Sequence, residues 1–203
     1  MEIILDNAGK RFNRDWIFRN LTITFKEGQR YAITGPNGSG KSTLLQVLSG
    51  SMSPSSGKIN WQQHAALPHE EVHKYVSIAA PYLEIIEEMT ASEFLHFHQT
   101  FKPLNGTSIK DILEIIGLSH AADKQIRFYS SGMKQRVKLA QAIFASAPIL
   151  LLDEPCTNLD TMGYELYHNL IKEYCQNKLV VVSSNDINEY NFCEKVISIM
   201  EHK

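Results

Sequence analysis

Residues 35–42 read Gly-Pro-Asn-Gly-Ser-Gly-Lys-Ser, which fits the phosphate-binding pattern G-x-x-x-x-G-K-[ST]. No other segment constrains the fold as much, because this pattern works in one context only. A strand must deliver the chain into the loop, and a helix must carry it away. Both neighbours fit: residues 30–34 read as a strand, and residues 43–48 as a helix ending near Gly50. Glycines remove side chains, so the backbone can wrap an anion with its N–H groups turned inward. The helix start adds partial positive charge. The candidate phosphate-binding residues are therefore Gly35, Pro36, Asn37, Gly38, Ser39, Gly40, Lys41, Ser42 and Thr43. In such a loop Lys41 reaches the β- and γ-phosphates, and the Ser42 hydroxyl sits on Mg²⁺. The competing explanation is a plain glycine turn before a helix, and the motifs downstream weigh against it.

The chain has 203 residues, enough for one large domain or a core with an inserted lobe. Its formal net charge of −2 gives no electrostatic footprint for nucleic acid. The short basic clusters at Lys10-Arg11 and Lys134-Gln135-Arg136 read as solvated faces. Cys156, Cys175 and Cys193 are odd in number and lack C-x-x-C spacing, which fits a reducing compartment. The first six residues have no basic region and no long apolar run, so no signal peptide is expected. No segment approaches the roughly 20 apolar residues of a membrane helix. A cytoplasmic location follows, with any membrane role supplied by a partner.

Short strands are predicted at 2–5, 21–25, 58–61 and 76–80, the last stopped by Pro81. The middle changes character. Thr90-Ala91-Ser92-Glu93 is a capping box before Phe94, Leu95 and Phe97, and Ser108 starts a second helix. Residues 84–137 are read as an α-helical subdomain inserted into an α/β core made of 1–83 and 138–203. The core returns with the apolar runs 149–152, 179–182 and 196–199, which look like central strands covered by helices. The expected fold is thus α/β: a phosphate-loop core with a mostly parallel sheet, antiparallel N-terminal strands and the helical insertion.

Two further segments carry chemistry. The run Ile149-Leu150-Leu151-Leu152 ends in Asp153 and Glu154. An apolar strand delivering an Asp beside the phosphate loop suits Mg²⁺, directly or through water. Glu154, next in line, can polarise an attacking water as general base. Two solvated acids opening a turn at Pro155 is the plainer alternative. The second segment is Tyr129-Ser130-Ser131-Gly132-Met133-Lys134-Gln135-Arg136, ahead of a helix with Val137, Ala140, Ile143 and Phe144 on one face. It reads either as a simple serine N-cap or as a second anion site at a helix start. His69, His73, His96 and His98 lack the ligand count and geometry of a zinc site and read as surface or half-buried imidazoles.

The order phosphate loop, helical lobe, S-S-G-M-K-Q-R, I-L-L-L-D-E-P and T-N-L-D resembles the nucleotide-binding subunit of an ATP-binding cassette (ABC) transporter over essentially the whole chain. The signature, usually L-S-G-G-Q, stands here as Tyr129-Ser130-Ser131-Gly132-Met133. The resemblance implies a head-to-tail dimer, with a second copy or a homologous cassette, burying two ATP. Each ATP lies between the phosphate loop of one subunit and the signature segment of the other, including Ser130, Ser131 and Gly132. The Ser130 side chain and the Gly132 amide contact the γ-phosphate in trans. Asp153 holds Mg²⁺, Glu154 acts on the water, and Asp160 is the key acid of the loop at the dimer seam. Phe12 falls where the family places an aromatic on adenine, with Trp16 as the fallback and a half-buried strand-end aromatic as the alternative. The implied partners are integral membrane permease subunits, which the cassette meets on the cytoplasmic face. ATP would favour the closed dimer because it touches both halves, and hydrolysis would remove that bridge.

Two positions depart from the family pattern. The Gln that usually follows the strand into the helical lobe falls on Ala80 or Pro81, neither of which can ligate a metal. The usual His after the strand following the seam loop is Asn185, an amide that can donate to the γ-phosphate but carries no proton charge. Slower or differently gated hydrolysis is expected, with binding intact. Three rival readings remain on the sequence: a soluble non-transport ABC-type ATPase, a weakly hydrolysing nucleotide-dependent regulator, and a small phosphotransferase. The last needs an Arg-rich acceptor lid, and the middle lobe has few arginines.

Overall fold

Apolar runs without a polar face must be covered on both sides, and the runs 31–33, 149–152 and 179–182 are all fully buried. They lie side by side in the computed structural model, which describes residues 1–63 and 65–203. In chain order the elements open with β1 (Glu2–Phe12), β2 (Asp15–Lys26), β3 (Arg30–Thr34), α1 (Lys41–Leu48), β4 (Ser56–Gln62) and β5 (Val76–Ala79). Next come α2 (Ala91–Gln99), α3 (Ile109–Ile115) and α4 (Ser131–Ile143). The chain finishes with β6 (Ile149–Asp153), α5 (Thr161–Tyr174), β7 (Leu179–Ser183), α6 (Ile187–Tyr190) and β8 (Lys195–Ser198).

The chain divides into two compact units. One comprises Met1–Ile78, Pro148–Glu154 and Asn177–Lys203; the other comprises Ala79–Ala147 and Pro155–Gln176. In the first unit the described strands form two sheets. A three-stranded antiparallel sheet has the order β2-β1-β4. A five-stranded sheet has the order β5-β6-β7-β3-β8, and its β3–β7, β3–β8 and β6–β7 pairings are parallel. Its register brings strand ends together: Asp153 pairs with Ser183, and Ser183 pairs with Ile33, so three strands end at one level. Helix α1 packs against β6 and β7 and contributes Leu44, Leu45, Val47 and Leu48 to the core.

The antiparallel sheet is larger than the sequence suggests. The strand expected at 2–5 runs to Phe12, and the one expected at 21–25 begins at Asp15. The polar stretch Asp6-Asn7 and the turn-prone Gly9 and Asn13 mask the strand signal. The pairing absorbs Asn7 and Gly9 as register shifts, and Asn13 makes the hairpin turn; Asn7, Asn13 and Asn20 are at positive φ.

In the second unit α2 packs on α3 and α4, and α4 packs on α5. The capping box is formed. Thr90 Oγ1 accepts from the Glu93 N–H at 3.2 Å, and the Glu93 carboxylate accepts from the Thr90 N–H at 2.8 Å. Ser108 caps α3 in the same sense, accepting from the Asp111 N–H at 3.1 Å.

Candidate nucleotide site

The loop between β3 and α1 is shaped by what is absent from it. Gly40 caps α1 at φ 102°, in the left-handed region, and a Cβ there would lie 2.1 Å from Ile17 Cγ2. Only glycine satisfies both the dihedral and the contact. Helix α1 therefore starts at Lys41 rather than at Thr43, and Lys41 and Ser42 lie in its first turn. That turn holds no acidic residue, so the partial positive charge of the helix start is uncompensated within the helix.

Lys41 is 5% exposed. Its Nζ donates to the carbonyl of Gly35 at 2.8 Å and to that of Pro36 at 3.4 Å, bending back over the loop. A pocket of about 230 Å³ is lined by Lys41, Ser42, Thr43, Asn37, Glu154 and Ile17, with Gly38 and Gly40. The loop carbonyl of Ser39 accepts from Lys203 Nζ at 2.6 Å, while the Ser39 hydroxyl is buried without a hydrogen-bond partner among the described residues.

The two acids expected at the end of β6 are in different environments. Asp153 is 3% exposed, and its Oδ1 finds no hydrogen-bond partner among the described residues. A buried carboxylate oxygen is an acceptor only, so it calls for a cation or a donor. Glu154 is half-buried and lines the pocket. Its φ is 45°, uncommon for a residue with a side chain, and its N–H is anchored on the Ser183 carbonyl at 2.9 Å. Such a backbone costs about 1–3 kcal/mol, and the sheet register holds it in place. Asn185 follows β7. Its Oδ1 accepts from the Gly35 N–H at 3.2 Å, and its Nδ2 donates to Asn37 Oδ1 at 3.1 Å.

Phe12 stands at the tip of the β1–β2 hairpin, paired with Asp15 and 46% exposed, with the Lys10 ammonium 5.4 Å from its ring centroid. Trp16 carries the Arg11 guanidinium at 5.6 Å. Neither lines the phosphate pocket; Ile17 does. Ile17 escaped sequence reading, although its place in an apolar stretch before the loop was available as a signal.

In the second unit Ser130 is the N-cap of α4, accepting from the Met133 N–H at 3.2 Å. Capping uses a lone pair and leaves the hydroxyl proton free to donate. Ser131 and Gly132 form the first turn of α4, and a Cβ on Gly132 would press to 3.0 Å of the Asn158 carbonyl. Asp160 caps α5 by accepting from the Gly163 N–H at 2.8 Å, and its Oδ1 lies 3.7 Å from the Arg136 guanidinium. Ser131 and Asn158 line a pocket of about 310 Å³ with Glu84, Glu87, Lys134 and Lys138. Lys134 pairs with Glu87 at 2.6 Å. At the positions lacking the family glutamine, Ala80 is buried and Pro81 is exposed, its carbonyl accepting from Lys138 Nζ at 3.4 Å. Among the histidines, His69 packs edge-on to Trp61, while His73 and His96 bond to backbone carbonyls of their own turns.

A glycine loop clasped by its own lysine at the start of a helix, with an acidic strand end lining the same pocket, defines a phosphate-loop nucleotide-binding domain. The chain belongs to the ABC transporter family, whose profile matches residues 18–157. It is 32% identical over 198 residues to the ABC transporter ATP-binding protein YxlF of Bacillus subtilis, covering 95% of this chain and 66% of that protein. The chain thus spans just under two thirds of the length of that curated relative. It is also 32% identical over 184 residues to the cytochrome c biogenesis ATP-binding export protein CcmA of Haemophilus influenzae, covering 89% of this chain and 87% of that one. The fold matches a dimeric post-hydrolysis structure of the cassette MJ0796 bound to ADP and Pi, with TM-score 0.83, 27% identity and coverage of 97% of this chain and 93% of that one. A cassette from Pyrococcus furiosus matches in fold, with TM-score 0.86 over the full length of both chains at 20% identity. Among the described residues no helix is long and apolar enough to cross a membrane.

Proposed function

We propose that this chain binds and hydrolyses ATP as the nucleotide-binding subunit of an ABC transporter, pairing head to tail with a second copy or a homologous cassette to drive separate membrane subunits. The observation that carries the reading is the pocket that gathers Lys41, Ser42 and Glu154 at the start of one helix. Backbone N–H groups of the loop and the Lys41 ammonium receive the β- and γ-phosphates. Ser42 and Asp153 are the residues to hold Mg²⁺, and the unpartnered, buried Asp153 Oδ1 fits that task. When bound, Mg²⁺ neutralises charge on the β- and γ-phosphate oxygens.

Glu154 then orients and deprotonates the attacking water. Ser130, with its hydroxyl proton still free, and the Gly132 amide serve the γ-phosphate of the partner's nucleotide. Asp160 serves the seam between cassettes. Ile17 gives the sugar and base an apolar wall beside the loop, with Phe12 within the same hairpin as the candidate for stacking on adenine. The residues 1–83 and 138–203 form the nucleotide core in this reading, and residues 84–137 the signature lobe. The working location is the cytoplasmic face of a membrane, reached through the permease.

The test uses Glu154→Gln. With ATP and Mg²⁺ this variant is expected to run as a dimer by light scattering and to lose turnover, while the wild type hydrolyses ATP. Tagged in its native cell and recovered from solubilised membranes, the trapped variant should bring down a multi-span membrane protein. Recovery from the soluble fraction alone, with ribosomes, DNA or nothing, would replace the transporter reading by a non-transport ATPase.

A further inference from the structure

We propose that Asn185 is a positioning residue, a neutral latch that holds the phosphate loop in its binding shape through Gly35 and Asn37 and thereby sets affinity for the diphosphate part of the nucleotide. The proposal rests on the nucleotide-binding reading above and specifies how this chain prepares that site.

The latch is built from a fixed frame. Asn185 leaves β7, the strand paired on one side with β3 and on the other with β6. The Ser184 N–H donates to the Ile33 carbonyl at 3.1 Å, which ties the chain just before Asn185 to the strand that feeds the loop. Just after it, Asp186 caps α6 by accepting from the Asn188 N–H at 2.9 Å, and the Asp186 N–H is held by Ser184 Oγ at 2.9 Å. These anchors fix the backbone on both sides of Asn185, and the exposed carboxamide is placed by its own two hydrogen bonds, to Gly35 and Asn37.

Its two ends do different work. Gly35 offers an N–H, so the atom facing it must be the oxygen, and the orientation of the amide is settled by chemistry. The NH₂ end then faces Asn37 Oδ1. One side chain thus fixes the first residue of the loop and the third. Gly35 has φ 148° and Gly38 has φ 76°, so the loop pivots on a glycine on either side of Asn37, and only the ring of Pro36 fixes a dihedral between them. An aspartate at 185 accepts from Gly35 but has nothing to donate to Asn37, and it brings negative charge towards the phosphates. An imidazolium donates but accepts nothing. Of these three groups, only the carboxamide can both accept from Gly35 and donate to Asn37 without titrating between about pH 5 and 8.

A latch on the loop and a direct contact to the γ-phosphate predict different ligand patterns. The latch shapes the loop for every nucleotide, whereas a γ-phosphate contact is invisible to ADP. Asn185→Ala is therefore expected to weaken ADP and ATP alike, each about tenfold by calorimetry, with the fold intact by circular dichroism. Asn37→Ala should reproduce part of that loss, and the double variant should be no worse than Asn185→Ala, because one bond is shared. Should Asn185→Ala fail to fold, Asn37→Ala on the exposed loop tests the same bond. Loss for ATP with ADP unchanged, or no change for either, overturns the latch. Wild-type protein that binds neither nucleotide sinks the nucleotide reading itself. The latch is then judged by amide hydrogen exchange at Gly35 in the nucleotide-free chain: faster exchange in Asn185→Ala supports it, and equal exchange overturns it.

Discussion

Gln135 donates a hydrogen bond at 2.6 Å from its side chain to the carbonyl of Pro155, the residue that follows Glu154. Both residues are buried, and they belong to the same compact unit. The neighbouring Arg136 lies 3.7 Å from Asp160, so one turn of α4 holds both ends of the stretch 155–160. Gln135→Ala removes a buried donor and leaves the Pro155 carbonyl without it. The expected cost is about 1–3 kcal/mol in urea unfolding. Arg136→Ala, which removes a more exposed ion pair, should cost less, on the order of 1 kcal/mol or below.

Gly40→Ala should be destabilising for two separable reasons, the contact with Ile17 and the positive φ. The combined variant Ile17→Ala with Gly40→Ala relieves the contact and keeps the dihedral strain of about 1 kcal/mol or more. Partial recovery of the melting temperature is the expected result. Full recovery would mean that the dihedral carries no cost there.

Lys41→Ala removes an ammonium that is almost wholly buried in the loop. Charge-assisted hydrogen bonds are worth about 1.5–3 kcal/mol, so nucleotide affinity should fall roughly 10- to 100-fold. Lys41→Arg keeps the charge but replaces a compact ammonium, which meets the Gly35 and Pro36 carbonyls, by a planar fork of different reach, and it should not restore binding. Calorimetric titration with ADP and ATP measures both.

The Glu93 carboxyl is held below its usual value of 4.5, chiefly by the backbone N–H of Thr90 and then by the Thr90 side chain. A lowered folded-state value means that this contribution to stability is full above the unfolded value and is lost as pH falls through the folded one. Glu93→Ala should therefore be less stable than the wild type at neutral pH. The difference should close as the pH is lowered through the folded-state value, where the wild-type carboxyl takes up its proton. Urea midpoints of the two proteins, measured from neutral pH downwards, decide it.

What could be read from the sequence was local. The phosphate loop, the capping box at Thr90 and Glu93, and the apolar runs at 149–152 and 179–182 each carry their signal within a few residues. The long β1–β2 hairpin was hidden because Asn and Gly residues that signal turns were absorbed as bulges. The positive φ of Glu154 has no sequence mark, since nothing about a glutamate before proline announces it. Contacts such as Asn185 with Asn37, or Gln135 with Pro155, depend on which strands are neighbours and in what register. Periodicity within a segment does not contain that information.

The level ends of β3, β6 and β7 also have a temporal consequence. The hydrogen bond from Gly35 to Asn185 spans 150 positions of the chain, and the pocket needs Glu154 as well. Closing such separations is slow compared with winding a capped helix. A refolding chain should regain much of its helical circular dichroism before it can retain a fluorescent nucleotide. The capture of nucleotide then works as a clock for the completion of the central sheet, and a chain emerging from synthesis should not retain nucleotide until Glu154 and Asn185 have both been made.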